Sequence, residues 1–116
     1  MSPSNNTTIQ RLLLLKIASE ADQDRVISLF TEIPAKARRD GKPYILNMRG
    51  GTASSTSFSQ EARTQGYTVA MVTEFASEDD VRFWDAECVA HAELKKIAMP
   101  LQQGAMVMHW TNQIAV

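Results

Sequence analysis

The stretch GYTVAMVTEFASEDDVRFWDAECVAH, residues 66–91, runs from a strand through a helix cap into a helix. Val69, Met71, Thr73 and Phe75 alternate with Thr68, Ala70, Val72 and Glu74. That period of two puts the odd positions on one face of a strand and the even positions on the other. Ser77-Glu78-Asp79-Asp80 follows. A serine ahead of acidic residues is an N-cap signal, with carboxylates opposing the helix dipole. Val81, Trp84, Cys88 and His91 then recur at spacings of three, four and three, one helical stripe that Leu94 continues. One of the two histidines therefore lies on the apolar stripe of a helix. Such a ring is either a buried structural group or a catalytic one.

Moving outward, Ile9 to Ile17 is an apolar run interrupted only by Gln10, Arg11 and Lys16. It reads as a strand buried in its middle. Ser19-Glu20-Ala21-Asp22 is a second cap pattern, and Val26, Leu29, Phe30 and Ile33 follow at helical spacing. Pro34 is expected to stop or kink this helix near Ile33. Lys36 to Lys42 is a basic connector, a solvated linker or a phosphate-binding surface. Pro43 to Met48 fits a short strand. Gly50-Gly51 opens a Ser/Thr-rich segment reaching Gln65, either padding or a lid over a site. Pro100 and Gly104 lead into a last strand, Ala105 to Trp110, and residues 111–116 would add an edge strand or swap onto a partner.

The order is strand, helix, strand, strand, helix, strand. That βαββαβ pattern predicts an α+β, ferredoxin-like antiparallel sheet with both helices on one face. Residues 1–8 read as a frayed tail and 9–116 as one domain. Leu13, Leu15, Val69, Met71, Met106 and Met108 offer more apolar strand surface than two helices cover. A homodimer packed sheet to sheet is the economical solution.

The composition fits one globular core, at 44% hydrophobic and 22% charged residues. A net charge of −1 supplies no basic field for nucleic acid or an anionic membrane. Cys88 is the single cysteine, so no internal disulfide forms and a reducing, cytoplasmic setting is expected. No Cys/His cluster has zinc spacing. Met1 to Thr8 lacks the features of a signal peptide, and Leu12 to Leu15 is too short to span a membrane.

Five pieces in this order resemble the stress-responsive α/β-barrel family, the dimeric α+β barrel or Dabb domain. They are Arg11 to Lys16, Ile33-Pro34, Gly66-Tyr67-Thr68 with Val72 to Phe75, Phe83-Trp84 with Ala90-His91, and Val107 to Trp110. Val89 stands where the family usually has proline before Ala-His, and His109 where an aspartate is common. The resemblance to olivetolic acid cyclase-like members implies that His91 promotes closure of a poly-β-keto chain in an apolar cavity. Their tyrosine partner is unmatched, since the nearby aromatic is Trp84. Further histidines of that group align with Val69 and Arg11.

The expected catalytic residues are His91, to move a proton, and Arg11, to hold a carboxylate or an enolate oxyanion. Residue type and spacing alone also leave open a carbonyl-bonded structural histidine and a solvent-reaching strand-end arginine. Tyr44, Asn47, Val69, Met71 and Trp84 are the expected substrate-binding residues, with packing as the alternative for each. His109 is read as a surface or interface histidine facing the dimer side, and Cys88 as a small core residue. The expected function is cofactor-free cyclisation, or a related carbon–carbon lyase or isomerase step, on a small polyketide-like molecule. The rivals are a non-catalytic stress-response protein that binds a hydrophobic ligand or partner, and a haem-handling or monooxygenase relative.

Overall fold

A computed structural model describes residues 7–53 and 62–115. Its strands are β1 (Ile9–Leu15), β2 (Ile45–Thr52), β3 (Val69–Phe75) and β4 (Ala105–Thr111). Its helices are α1 (Glu20–Lys36), α2 (Glu78–Ala86) and α3 (Val89–Ala98). The strands form one sheet in the order β2-β3-β1-β4, and every neighbouring pair is antiparallel. This is the expected ferredoxin-like α+β fold. The segment between β2 and β3 that was read as a lid or padding lies largely outside the described residues, as does most of the N-terminal tail.

Register settles which residues share a face. Arg11 pairs Thr73 and His109, Leu13 pairs Met71 and Val107, and Leu15 pairs Val69 and Ala105. These odd positions lie under the helices. Val69, Met71, Thr73 and Phe75 are all buried there, against Val26, Phe30 and Ile33 of α1, Val81 and Trp84 of α2, and Leu94 of α3. Even positions form the far face. Leu12 pairs Val72 and Met108, and Leu14 pairs Ala70 and Met106. Met106 and Met108 are about half exposed. The apolar strand residues therefore divide between two faces, and His109 stands on the helix side rather than the far side.

A polar corner closes one end of the far face. Thr8 donates from Oγ1 to Glu74 Oε2 at 2.5 Å, and Gln10 Nε2 reaches Thr8 Oγ1 at 3.4 Å. Thr8 and Gln10 are both buried, so the described end of the tail is held in place.

Four expectations shift. Helix α1 runs through Pro34 to Lys36. An exposed proline near a helix end costs one hydrogen bond without obstructing packing, and Arg38 Nη1 donates to the Pro34 and Ala37 carbonyls. Strand β2 extends through Gly50 and Gly51 to Thr52. A side chain at Gly50 would meet the Ala70 carbonyl oxygen and the Met71 sulfur at 2.2 Å, so the glycine permits close approach to β3. Residues beyond Thr111 to Ala115 form no strand. The single stripe from Val81 to His91 is carried by two helices. Glu87 N and Cys88 N both donate to the Phe83 carbonyl, ending α2. Cys88 then turns extended (φ −68°, ψ 117°) and becomes the N-cap residue of α3. All four stripe residues remain buried.

Three cations of the basic connector make structural contacts. Arg38 closes α1, Arg39 Nη1 bonds Asp80 at 2.6 Å, and Lys36 lies near Glu32.

Candidate active site

The end of α2 fixes His91. Its Nδ1 lies 2.7 Å from the Trp84 carbonyl oxygen, and its ring stacks on the Trp84 indole at a centroid distance of 3.9 Å and an interplanar angle of 8°. A carbonyl only accepts, so Nδ1 carries the hydrogen and Nε2 keeps a free lone pair. The carbonyl is available because α2 stops: the last four C=O groups of a helix lack intrahelical partners. His91 is 6% exposed. Burial lowers its pKa to about 4, the Trp84 hydrogen bond opposes that shift, Lys95 and Arg11 add to it, and Asp85 opposes it. The ring is therefore neutral near pH 7, with Nε2 as acceptor.

Arg11 comes to the same place from β1. Its Nη2 donates to Asp85 Oδ1 at 2.8 Å, with the arginine side chain 8% exposed and the aspartate 46%. Arg11 Nε is buried and has no hydrogen-bond partner among the described residues. Trp84 and Asp85, consecutive residues of α2, thus hold the two candidate groups, one through its carbonyl and ring and the other through its carboxylate.

Between β1, β4, α1 and α3 lies a cavity of about 220 Å³. Leu13, Leu15, Phe30, Leu94 and Val107 give it apolar walls. Arg11, Asp85, His91, Lys95 and Gln102 are its polar lining. A mostly apolar hollow with few convergent polar groups is the usual form of a small-molecule site. It lies slightly below the roughly 300–1,000 Å³ of drug-sized pockets, which suits one ring or the end of a chain. Among the described residues, no group of three or more His, Cys, Asp or Glu side chains could hold a metal ion.

The other expected residues lie elsewhere. Trp84 backs His91 and is 1% exposed, so it supports the site from behind. Val69 and Met71 are buried in the core beneath the helices and do not line the cavity. Tyr44 packs on Phe75 and Phe83 at ring-centroid distances of 6.0 and 5.3 Å, away from the cavity. Burial, with the Cys88 thiol adding to it, pushes its phenol pKa up, which makes it a poor proton donor. Asn47 pairs Glu74 after a bulge in β2 and shares the far face. Asp85, Lys95 and Gln102 were not legible as site residues. Asp85 is 74 positions from Arg11 in sequence, and only the fold brings them together.

The sequence model of the stress responsive A/B barrel domain matches residues 9–112. A fusaristatin A biosynthesis cluster protein of Gibberella zeae is 37% identical over 89 residues, covering 77% of this chain; the chain spans 61% of that protein's length. Among solved structures, the hydroxynitrile lyase from Passiflora edulis superposes with a TM-score of 0.73 at 17% identity, covering 96% of this chain and 99% of the lyase. A dimeric ferredoxin-like protein from Bacteroides fragilis superposes with a TM-score of 0.68 at 18% identity, covering 91% and 97% of the two chains. The likeness to these structures is one of fold. With the family match running from β1 to the end of β4, the chain belongs to the stress responsive A/B barrel (Dabb) family.

Proposed function

We propose that this protein is a cofactor-free enzyme of specialised metabolism that moves a proton on a small carbonyl-rich molecule. The observation that carries the reading is the convergence of neutral His91 and the Arg11 guanidinium on one apolar cavity. The relative from a fusaristatin A biosynthesis cluster supports the metabolic setting. In the proposed step, His91 Nε2 takes an acidic proton from carbon between two carbonyls, and Arg11 stabilises the enolate oxygen that forms. The resulting carbanion closes a ring by attack on a further carbonyl, more distant along the polyketide-like substrate. Returning the proton from His91 to the new alkoxide completes the cycle.

A base with pKa about 4 acts uphill by about 4 kcal/mol at pH 7. Only a substrate with an unusually acidic C–H suits it. The enolate itself compensates, because negative charge beside the imidazolium stabilises it. Replacing His91 with alanine should abolish turnover of a poly-β-keto thioester analogue while leaving the cavity able to bind it. Unchanged turnover in that variant would remove His91 from the chemistry.

The second reading, a ligand-binding protein without turnover, is favoured by one observation. The Trp84 carbonyl bond and the stacked indole already give His91 a complete structural role. In that case His91→Ala loses stability, and the wild type converts no substrate. Under either reading we place the protein in the cytoplasm as a homodimer, with a second copy covering the far face of the sheet. Support comes from the half-exposed Met106 and Met108 and from the dimeric protein of the same fold.

A further inference from the structure

The charges around the cavity are unevenly compensated. Arg11, the buried cation, is matched by Asp85 at 2.8 Å. Lys95 of α3 also lines the cavity and has no ion pair within salt-bridge distance among the described residues. His109 faces the helix side from β4, paired with Arg11 across the strands. Gln102, whose Oε1 is buried with no hydrogen-bond partner among the described residues, is a further polar wall; the other walls are apolar, and His91 presents a lone pair rather than a charge.

We infer that Asp85 is a positioning and specificity-determining residue: it holds Arg11 in place and offsets one of the two cations that line the cavity, so that a carboxylate gains less there, relative to an uncharged carbonyl oxygen, than it would without Asp85. The inference rests on the cavity being the substrate site and names the class of head group it takes. Asp85 occupies one guanidinium nitrogen as acceptor. A carboxylate entering beside Arg11 would lie near the Asp85 carboxylate and near the His91 Nε2 lone pair, and both repel it. A ketone, thioester or β-keto enol oxygen can accept from the remaining guanidinium N–H groups without that repulsion. It also keeps the adjacent C–H bonds that His91 would act on. A free acid would instead offer its charged end to the site. Asp85 thus shifts the site toward a chain still held as a thioester or ester, or one ending in a ketone, against the pull of Lys95 on the free acid.

The test compares two probes that carry the same pentyl tail, 2-heptanone and hexanoate, followed by the His91 ring resonances during titration of the intact protein. In the wild type, 2-heptanone should shift His91 saturably. In Asp85→Asn, hexanoate should gain on 2-heptanone by about tenfold, the scale of one partly screened charge–charge interaction. Adding Arg11→Gln to that variant should erase the gain. Lys95 is unchanged in both variants, so the ratio reports the Asp85 charge. If both probes reach His91 and their ratio is the same with and without Asp85, the assignment of Asp85 fails while the cavity remains a binding site. If neither probe reaches His91 in either protein, the site itself and the inference fall together.

Discussion

At the scale of the residue, His91 makes a structural contact that also bears on the chemistry proposed for it. The hydrogen bond that satisfies it structurally also fixes its tautomer, leaving Nε2 as the acceptor. Its low pKa couples to stability. Unfolded, the ring titrates near 6.5; folded, near 4. Between those values the unfolded chain binds more protons, so stability is complete above pH 6.5 and is lost as pH falls toward 4. From pH 7 to pH 4 this group alone should remove about 3 kcal/mol. Urea unfolding of the wild type and His91→Gln across that range checks it: the wild-type curve should fall more steeply by that amount, and parallel curves would mean the ring is not held neutral. His91 was legible from helical spacing and Arg11 from its strand face. Asp85 was hidden because an exposed acid on a helix looks like any solvated residue until the fold brings Arg11 to it. Asn47 was misplaced relative to the cavity by a bulge, which alternation alone does not reveal.

At the scale of the element, the break between α2 and α3 matters most. Periodicity showed the stripe but not the interruption, because both helices turn the same residues inward. The backbone explains the family's usual proline at the position of Val89. Val89 is the first residue of α3, where an N–H needs no intrahelical partner. Cys88 before it already has extended dihedrals close to those a following proline favours, and the Val89 side chain is 70% exposed. Val89→Pro should therefore raise stability by roughly 0.4–1 kcal/mol through the unfolded chain. A lower urea midpoint in that variant would show that α3 begins differently. Strand β2 teaches the opposite lesson about glycine. Gly50-Gly51 resembled a loop opening, yet Gly50 lies inside the strand because β3 comes too close for a side chain.

At the scale of the whole molecule, the βαββαβ order was readable from alternation, caps and turn residues, which are local signals. The division of apolar residues between two faces needed the register of β1 against β3 and β4. The far face carries Leu12, Leu14, Val72, Met106 and Met108, and the proposed second copy makes a direct prediction. Scattering mass at micromolar concentration should be twice the 12.9 kDa of one chain, and Met108→Asp should bring it to a single chain. A wild type that remains at one chain mass would leave the far face uncovered by a second copy. Rows of methyl-rich side chains alone can slip past one another by two residues with modest penalty. The Thr8–Gln10–Glu74 corner cannot: its hydrogen bonds are committed at one end of the face, and sliding apolar side chains over it would strip water from the half-buried Glu74 carboxylate without offering a new partner. That corner gives the sheet a head and a tail, so two copies meeting there would have one alignment to settle into.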